Sequence, residues 1–162
     1  MKLLSTLFFF LLLLVAASHS AMAARLKVVA SFSIVGDMTA RIGGQDIDLT
    51  VLVGPDADAH VFQADPKNAR AVAAAQLFIA NGRGLDAWAE RLIRASGSKA
   101  RLVNLSASVS TRPGDPHAWQ NVGNALLYAE AIRSALITAA PELAAVINKR
   151  ASLYRSELET LD

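Results

Sequence analysis

The chain predicts an α/β fold, a parallel four-stranded sheet with helices on both faces. Four short apolar or β-branched runs alternate with segments whose apolar residues recur at helical spacing. Gly, Pro, Asn and Ser clusters separate the two kinds of segment. Strict alternation of strand and helix favours a parallel sheet, because each parallel pair needs a long crossover between its strands.

Residues 26–32 (LKVVASF) read as the first strand. Ser33 is placed to cap a helix through Ile34, Val35, Met38 and Ile42, which Gly43-Gly44 ends. Residues 47–53 (IDLTVLV) form the second strand, stopped by Gly54-Pro55, and a loop over 54–64 carries His60. Asp65-Pro66 supplies an N-cap and a first-turn proline for a helix to about Ala75. Residues 76–80 are the third strand. Asn81-Gly-Arg-Gly84 is a tight turn, and residues 85–95 a helix with Leu85, Trp88, Leu92 and Ile93 on its buried stripe. Residues 101–105 are the fourth strand. A second long loop, 106–119, carries His117, and helices over 121–139 and 142–161 follow.

The first 23 residues read as an export signal. Lys2 provides the positive start, residues 7–15 (LFFFLLLLV) the apolar centre, and Ala21-Met22-Ala23 the small residues of a cleavage site before Ala24. The apolar stretch is short for a membrane span, so a retained anchor is the weaker reading. His19 leaves with the signal. The 162 residues include no cysteine. That excludes a disulfide framework, a thiolate metal site, a cysteine nucleophile and a lipid-modified cysteine at the mature start. A protein free in the periplasm is expected.

Without Lys2 the formal charge falls from +2 to +1. No basic run is interleaved with aromatics, which leaves nucleic-acid binding unsupported. Catalytic signatures are missing too: there is no G-x-S-x-G elbow and no H-E-x-x-H helix.

Past the signal the chain has two histidines, in matching contexts: Asp58-Ala59-His60 and Asp115-Pro116-His117. Imidazole is the commonest protein ligand for borderline metals. In a parallel sheet, ligands bind outside the carboxyl ends of the strands. His60 follows the second strand and His117 the fourth, so both project from one sheet edge. A pair of metal ligands is one reading; two unrelated loop histidines is the other. Asp56, Asp58 and Asp115 are turn-forming candidates, with Asp58 and Asp115 expected to shape the loops or orient the imidazoles. Asn81-Gly-Arg-Gly84 is read as a plain turn over a phosphate cradle, because a dinucleotide fingerprint needs three spaced glycines after the first strand. Trp88 is read as core. Trp119 either walls the histidines off from water or simply packs.

Four stretches carry a family resemblance: Val28-Val-Ala-Ser-Phe-Ser33 with Ile34, Asp37 and Met38; Val53-Gly-Pro-Asp-Ala-Asp-Ala-His-Val-Phe62; Leu77-Phe-Ile-Ala-Asn-Gly82 with Gly84, Leu85 and Trp88; and Asp115-Pro-His-Ala-Trp-Gln-Asn121 with Ala125 and Tyr128. With these the chain resembles the solute-binding proteins of zinc- and manganese-type ABC importers, over essentially all of the mature sequence.

The resemblance implies two α/β lobes joined by a long helix, with the metal between them. It implies that His60 and His117 are the two ligands of the amino-terminal lobe, and that the other ligands come from a second lobe. On that reading residues 1–23 are the signal, 24–140 the amino-terminal lobe, and 141–162 the start of the linking helix, cut short. The cargo is Mn2+ or Zn2+, and the partner is the importer's membrane permease. A monomer with no enzymatic activity is expected. A histidine-rich tract, found in some zinc-type members, is missing from residues 106–114, and the run Asp115-Pro-His-Ala-Trp points the same way, toward manganese. Two rivals are a small exported metal-dependent hydrolase on the same histidines, with Asp58 as acid or base, and a truncated fragment that binds nothing.

Overall fold

A computed structural model describes residues 24–110, 112 and 114–161. The expected export signal, with His19, lies outside them. Strands β1 (Leu26–Phe32), β2 (Ile47–Val53), β3 (Leu77–Ala80) and β4 (Arg101–Asn104) form one sheet in the order β2-β1-β3-β4. Every pairing is parallel, with Phe32 opposite Val53, Ala30 opposite Ile79, and Ala80 opposite Asn104. The predicted α/β architecture is the observed one.

Among the described residues the α-helices are α1 (Ser33–Gly43), α2 (Pro66–Ala74), α3 (Trp88–Ala95), α4 (Val122–Ala139) and α5 (Ala144–Glu159). Crossovers between parallel strands are right-handed. The step from β1 to β2 runs opposite to the steps from β2 to β3 and β3 to β4, so α1 covers one face and α2 and α3 the other. Helices α4 and α5 pack with α1, while α2 packs on α3.

The central strands are apolar because both of their faces are covered. All four residues of β3 are buried, and only Lys27 of β1 is exposed. Leu77, Phe78 and Ile79 are fully enclosed; each such side chain contributes about 1.5–3 kcal/mol of transfer free energy. The edge strand β4 has no buried residue.

Local chemistry sets the helix ends. Asp65 caps α2 by accepting from the Asn68 amide, and Asn68 answers on the Asp65 amide, a full capping box with Pro66 behind it. Gly44 ends α1 at φ 57°, a backbone region that favours glycine. The expected Ser33 cap is corrected: Ser33 is already the first helical residue and Phe32 is the N-cap, with no side-chain cap bond. Helix α3 begins at Trp88, three residues later than expected, because residues 82–84 all take positive φ and hold the chain in a turn. The last predicted helix is divided into a 3-10 turn (Pro141–Leu143) and α5. Arg150 of α5 donates to the Gly43 carbonyl (2.7 Å) and to Asp46 Oδ2 (2.6 Å), which ties α5 to the end of α1. Among the described residues no helix is long and apolar enough to cross a membrane.

Candidate metal centre

The first histidine loop leaves the carboxyl end of β2. Asp58 Oδ1 accepts from the His60 amide at 2.8 Å and starts a single 3-10 turn, Ala59–Val61. The indole of Trp88 donates through Nε1 to the Ala59 carbonyl at 3.1 Å, and its ring packs on Phe62 at 4.4 Å between centroids. The turn is anchored from below, and the exposed His60 imidazole stands at the rim.

The second loop leaves β4. Asp115 Oδ1 accepts from the His117 amide at 2.9 Å and also lies 2.9 Å from His117 Nδ1. An ionised carboxylate can only accept, so the Nδ1 atom carries the proton and Nε2 keeps a lone pair for a ligand. The His117 amide, and then its ring, hold the Asp115 carboxyl below the usual carboxylate range. Trp119 stands edge-on to the His117 ring at 5.4 Å and leans on Phe32, the last residue of β1, at 5.0 Å. Trp119 therefore does both things the sequence left open: it packs, and it walls one side of His117. Asn121 caps α4 immediately after, accepting from the Asn124 amide at 3.0 Å.

The structure brings the two imidazoles together. Residues 57 positions apart in sequence place their ring centroids 5.6 Å apart, with the planes tilted by 56°. An ion about 2.0–2.1 Å from one nitrogen of each ring holds the two centroids no more than about 6.5 Å apart. The observed spacing falls inside that limit. Beside His117 opens a cleft of ≈ 660 Å³ whose lining includes Asp115, Gln120, Asn121 and Asn124. Asp58 and Asp115 take the loop-shaping positions expected of them. Among the described residues no group of three or more His, Cys, Asp or Glu is placed to hold a metal ion.

Sequence reasoning underrated the connection between β3 and α3. The plain turn that the sequence predicts is also a hydrogen-bonded hub. Asn81 is buried; its Nδ2 donates to the Pro116 carbonyl at 2.9 Å, and its Oδ1 accepts from the Tyr128 hydroxyl at 2.7 Å. The buried Asp86 carboxylate takes the Asn81 amide (2.6 Å) and the Gly82 amide (2.8 Å), so those two N–H groups already hold an anion of the chain's own. Gly82, Arg83 and Gly84 have φ of 86°, 51° and 85°. For arginine that region is uncommon, and it sends the Arg83 guanidinium to the Val109 carbonyl in the loop leading to His117. The signal available in the sequence was an asparagine at the end of an apolar strand, with an aspartate five residues on. Burial pushes the Tyr128 phenol up to about 12, which keeps it a donor.

The family model described as "Zinc-uptake complex component A periplasmic" (ZnuA) matches residues 28–162. Over 143 residues the chain is 34% identical to the manganese-binding lipoprotein MntA of Halalkalibacterium halodurans, covering 85% of this chain and 47% of that protein. It is 30% identical over 149 residues to the iron-binding protein YfeA of Yersinia pestis, covering 86% and 48%. Among solved structures it is similar to a Cd-bound periplasmic metal binding protein from Candidatus Liberibacter asiaticus, with TM-score 0.76, 27% identity, and 80% and 51% of the two chains covered. Zn(II)-bound AdcA from Streptococcus pneumoniae shares the fold, with TM-score 0.78 at 23% identity over 86% of this chain and 32% of that one. The chain spans about half the length of the curated relatives it matches.

Proposed function

The chain belongs to this zinc-uptake component A family, and we propose that it is the metal-capturing lobe of a solute-binding protein serving an ABC importer. In this reading His60 and His117 hold one divalent transition-metal ion, Mn2+ or Zn2+, as cargo for a membrane permease. Residues 24–140 form the lobe, and residues 141–162 open the helix that links it to the rest of the binding protein. The protein works outside the cytoplasm, in the periplasm, as a monomer exported by a signal in residues 1–23. Family membership gives no support to the rival hydrolase.

One observation carries the reading. Two scarce imidazoles converge to 5.6 Å at a single sheet edge, one of them already fixed by a carboxylate in the tautomer that ligates through Nε2. That carboxylate–histidine arrangement recurs behind metal-ligating imidazoles. Two nitrogens do not fill a coordination shell. Zinc takes four ligands and manganese more, mostly oxygens; on the family reading the remaining donors belong to a second lobe. Relatives are named for manganese and for iron. Imidazole suits zinc, while the run Asp115-Pro-His-Ala-Trp, with no histidine-rich tract in residues 106–114, leans toward manganese.

The test is a titration with Zn2+ or Mn2+ followed by the imidazole NMR resonances. Both rings are expected to respond in one event that weakens as acid protonates the nitrogens. The His60→Ala and His117→Ala variants are each expected to lose it. Unaltered binding by both variants overturns the reading.

A further inference from the structure

We infer that the segment from Asn81 to Trp88 is a positioning frame that sets the separation of the two imidazoles. It reaches both loops from its two ends. Trp88 Nε1 donates to the carbonyl of Ala59, and Asn81 Nδ2 donates to the carbonyl of Pro116. Each of those carbonyls belongs to the residue immediately before a histidine.

That placement matters because a carbonyl and the following N–H share one rigid peptide plane. The N–H side of each plane is also held. Asp58 takes the His60 amide, and Asp115 takes the His117 amide. The peptide entering each histidine is thus gripped at both ends, by a local aspartate and by the distant frame. With both ends fixed, the nitrogen and Cα of each histidine are placed, and only rotation about φ and the side-chain torsions is left to aim the ring. The aspartates belong to their own loops and can set only local shape. Among the described contacts the frame is the element bonded to both planes, so it carries the distance between them.

The frame is itself anchored. Asn81 is fully buried and Trp88 nearly so, and the Tyr128 hydroxyl fixes the Asn81 amide by donating to Oδ1. Asp86 closes the turn on the Asn81 and Gly82 amides. A Cβ at Gly82 would come within 2.9 Å of Ser106 Oγ, at a φ of +86°, so the turn has little room to relax. None of these groups is placed as a ligand. Their role is positioning, and its value for affinity rests on the reading that the two histidines share one ion.

The test uses Trp88→Phe, which keeps an aromatic ring and removes the donor, and Tyr128→Phe, which frees the Asn81 amide. Asn81→Asp removes the donor to Pro116 outright. In the metal-free protein Trp88→Phe is expected to shift the His60 ring resonances and leave those of His117, and Tyr128→Phe to do the reverse. Each is expected to weaken Zn2+ binding roughly two- to thirteenfold, the worth of one net hydrogen bond. A merely structural role would lower the melting temperature and disturb both rings alike, and that pattern overturns the frame. Wild-type Zn2+ affinity in both Trp88→Phe and Tyr128→Phe overturns it as well, whereas wild-type affinity in the histidine variants sinks the ligand reading alone and leaves the ring-selective shifts to judge the frame.

Discussion

The two histidine loops carry the same three-residue pattern, yet they are not built alike. At His60, Asp58 reaches only the backbone amide. The ring has no carboxylate behind it among the described contacts and sits exposed at the rim. At His117, one oxygen of Asp115 holds both the amide and Nδ1, and Trp119 covers a flank. The first loop places an imidazole; the second places it and chooses its tautomer. A shared motif thus fixes the turn, while the side-chain contact beyond it decides how ready the nitrogen is for a ligand. His117 is the prepared half of the pair, and His60 is free to close on an ion already held.

The largest effect should come from breaking that asymmetry at its source. Asp115→Ala removes the acceptor of the His117 amide and the partner of its ring at once. Metal affinity should fall about 10- to 100-fold, as for partners that orient metal-binding histidines elsewhere. Asp58→Ala loses a turn bond only, worth about 1 kcal/mol, so its affinity should fall no more than about fivefold. Zn2+ titrations of the two variants side by side check this. Equal losses would mean that the Asp115–Nδ1 contact adds nothing and that the loops are equivalent.

A smaller effect should follow from Trp119→Leu. This change removes the edge-on contact with His117 and most of the packing on Phe32, together with an indole N–H that makes no hydrogen bond among the described contacts. Aromatic pairs of this kind contribute about 0.5–1.5 kcal/mol. We expect about a threefold loss in Zn2+ affinity and a modest drop in melting temperature. A loss as large as that of Asp115→Ala would show that the flank, and not the carboxylate, prepares His117.

Much of this arrangement is legible in the sequence. Alternation of apolar runs with helical spacing gives the parallel sheet, and the rule that ligands gather at carboxyl ends brings His60 and His117 to one edge. The Asp65-Pro66 start of α2 is equally plain, since a capping box is local chemistry. The connection from Asn81 to Trp88 is not legible in the same way. Its glycines announce a turn, and its tryptophan sits at core spacing, and both statements are true. What they leave out is that Asn81 and Trp88 each donate to a carbonyl tens of residues away, at Pro116 and Ala59. Such bonds depend on tertiary placement, which no periodicity encodes. The late start of α3 has a local origin: residues 82–84 hold positive φ, and Asp86 closes that turn on the Asn81 and Gly82 amides.

The difference between the halves extends to how each is supported, and alkali separates them. The donor under His60 is the Trp88 indole, which does not titrate. The support under His117 runs through Asn81 to the Tyr128 phenol, which does. Burial raises the Tyr128 phenol from its ordinary value of 10 to about 12, and burial raises that of Tyr154 as well. A phenol whose folded value lies above its unfolded one stabilises the fold fully below pH 10. That contribution is lost as the pH climbs from about 10 to 12, because the unfolded chain releases the proton first. Ultraviolet titration of phenolate should therefore show both tyrosines ionising late, and Tyr128→Phe should remove the step near 12. Across that window the His117 ring resonances should shift while those of His60 hold. If the Tyr128 phenol ionises at its ordinary value in the folded protein, or if the two rings drift together, the support under His117 is not the one the hydrogen bonds describe.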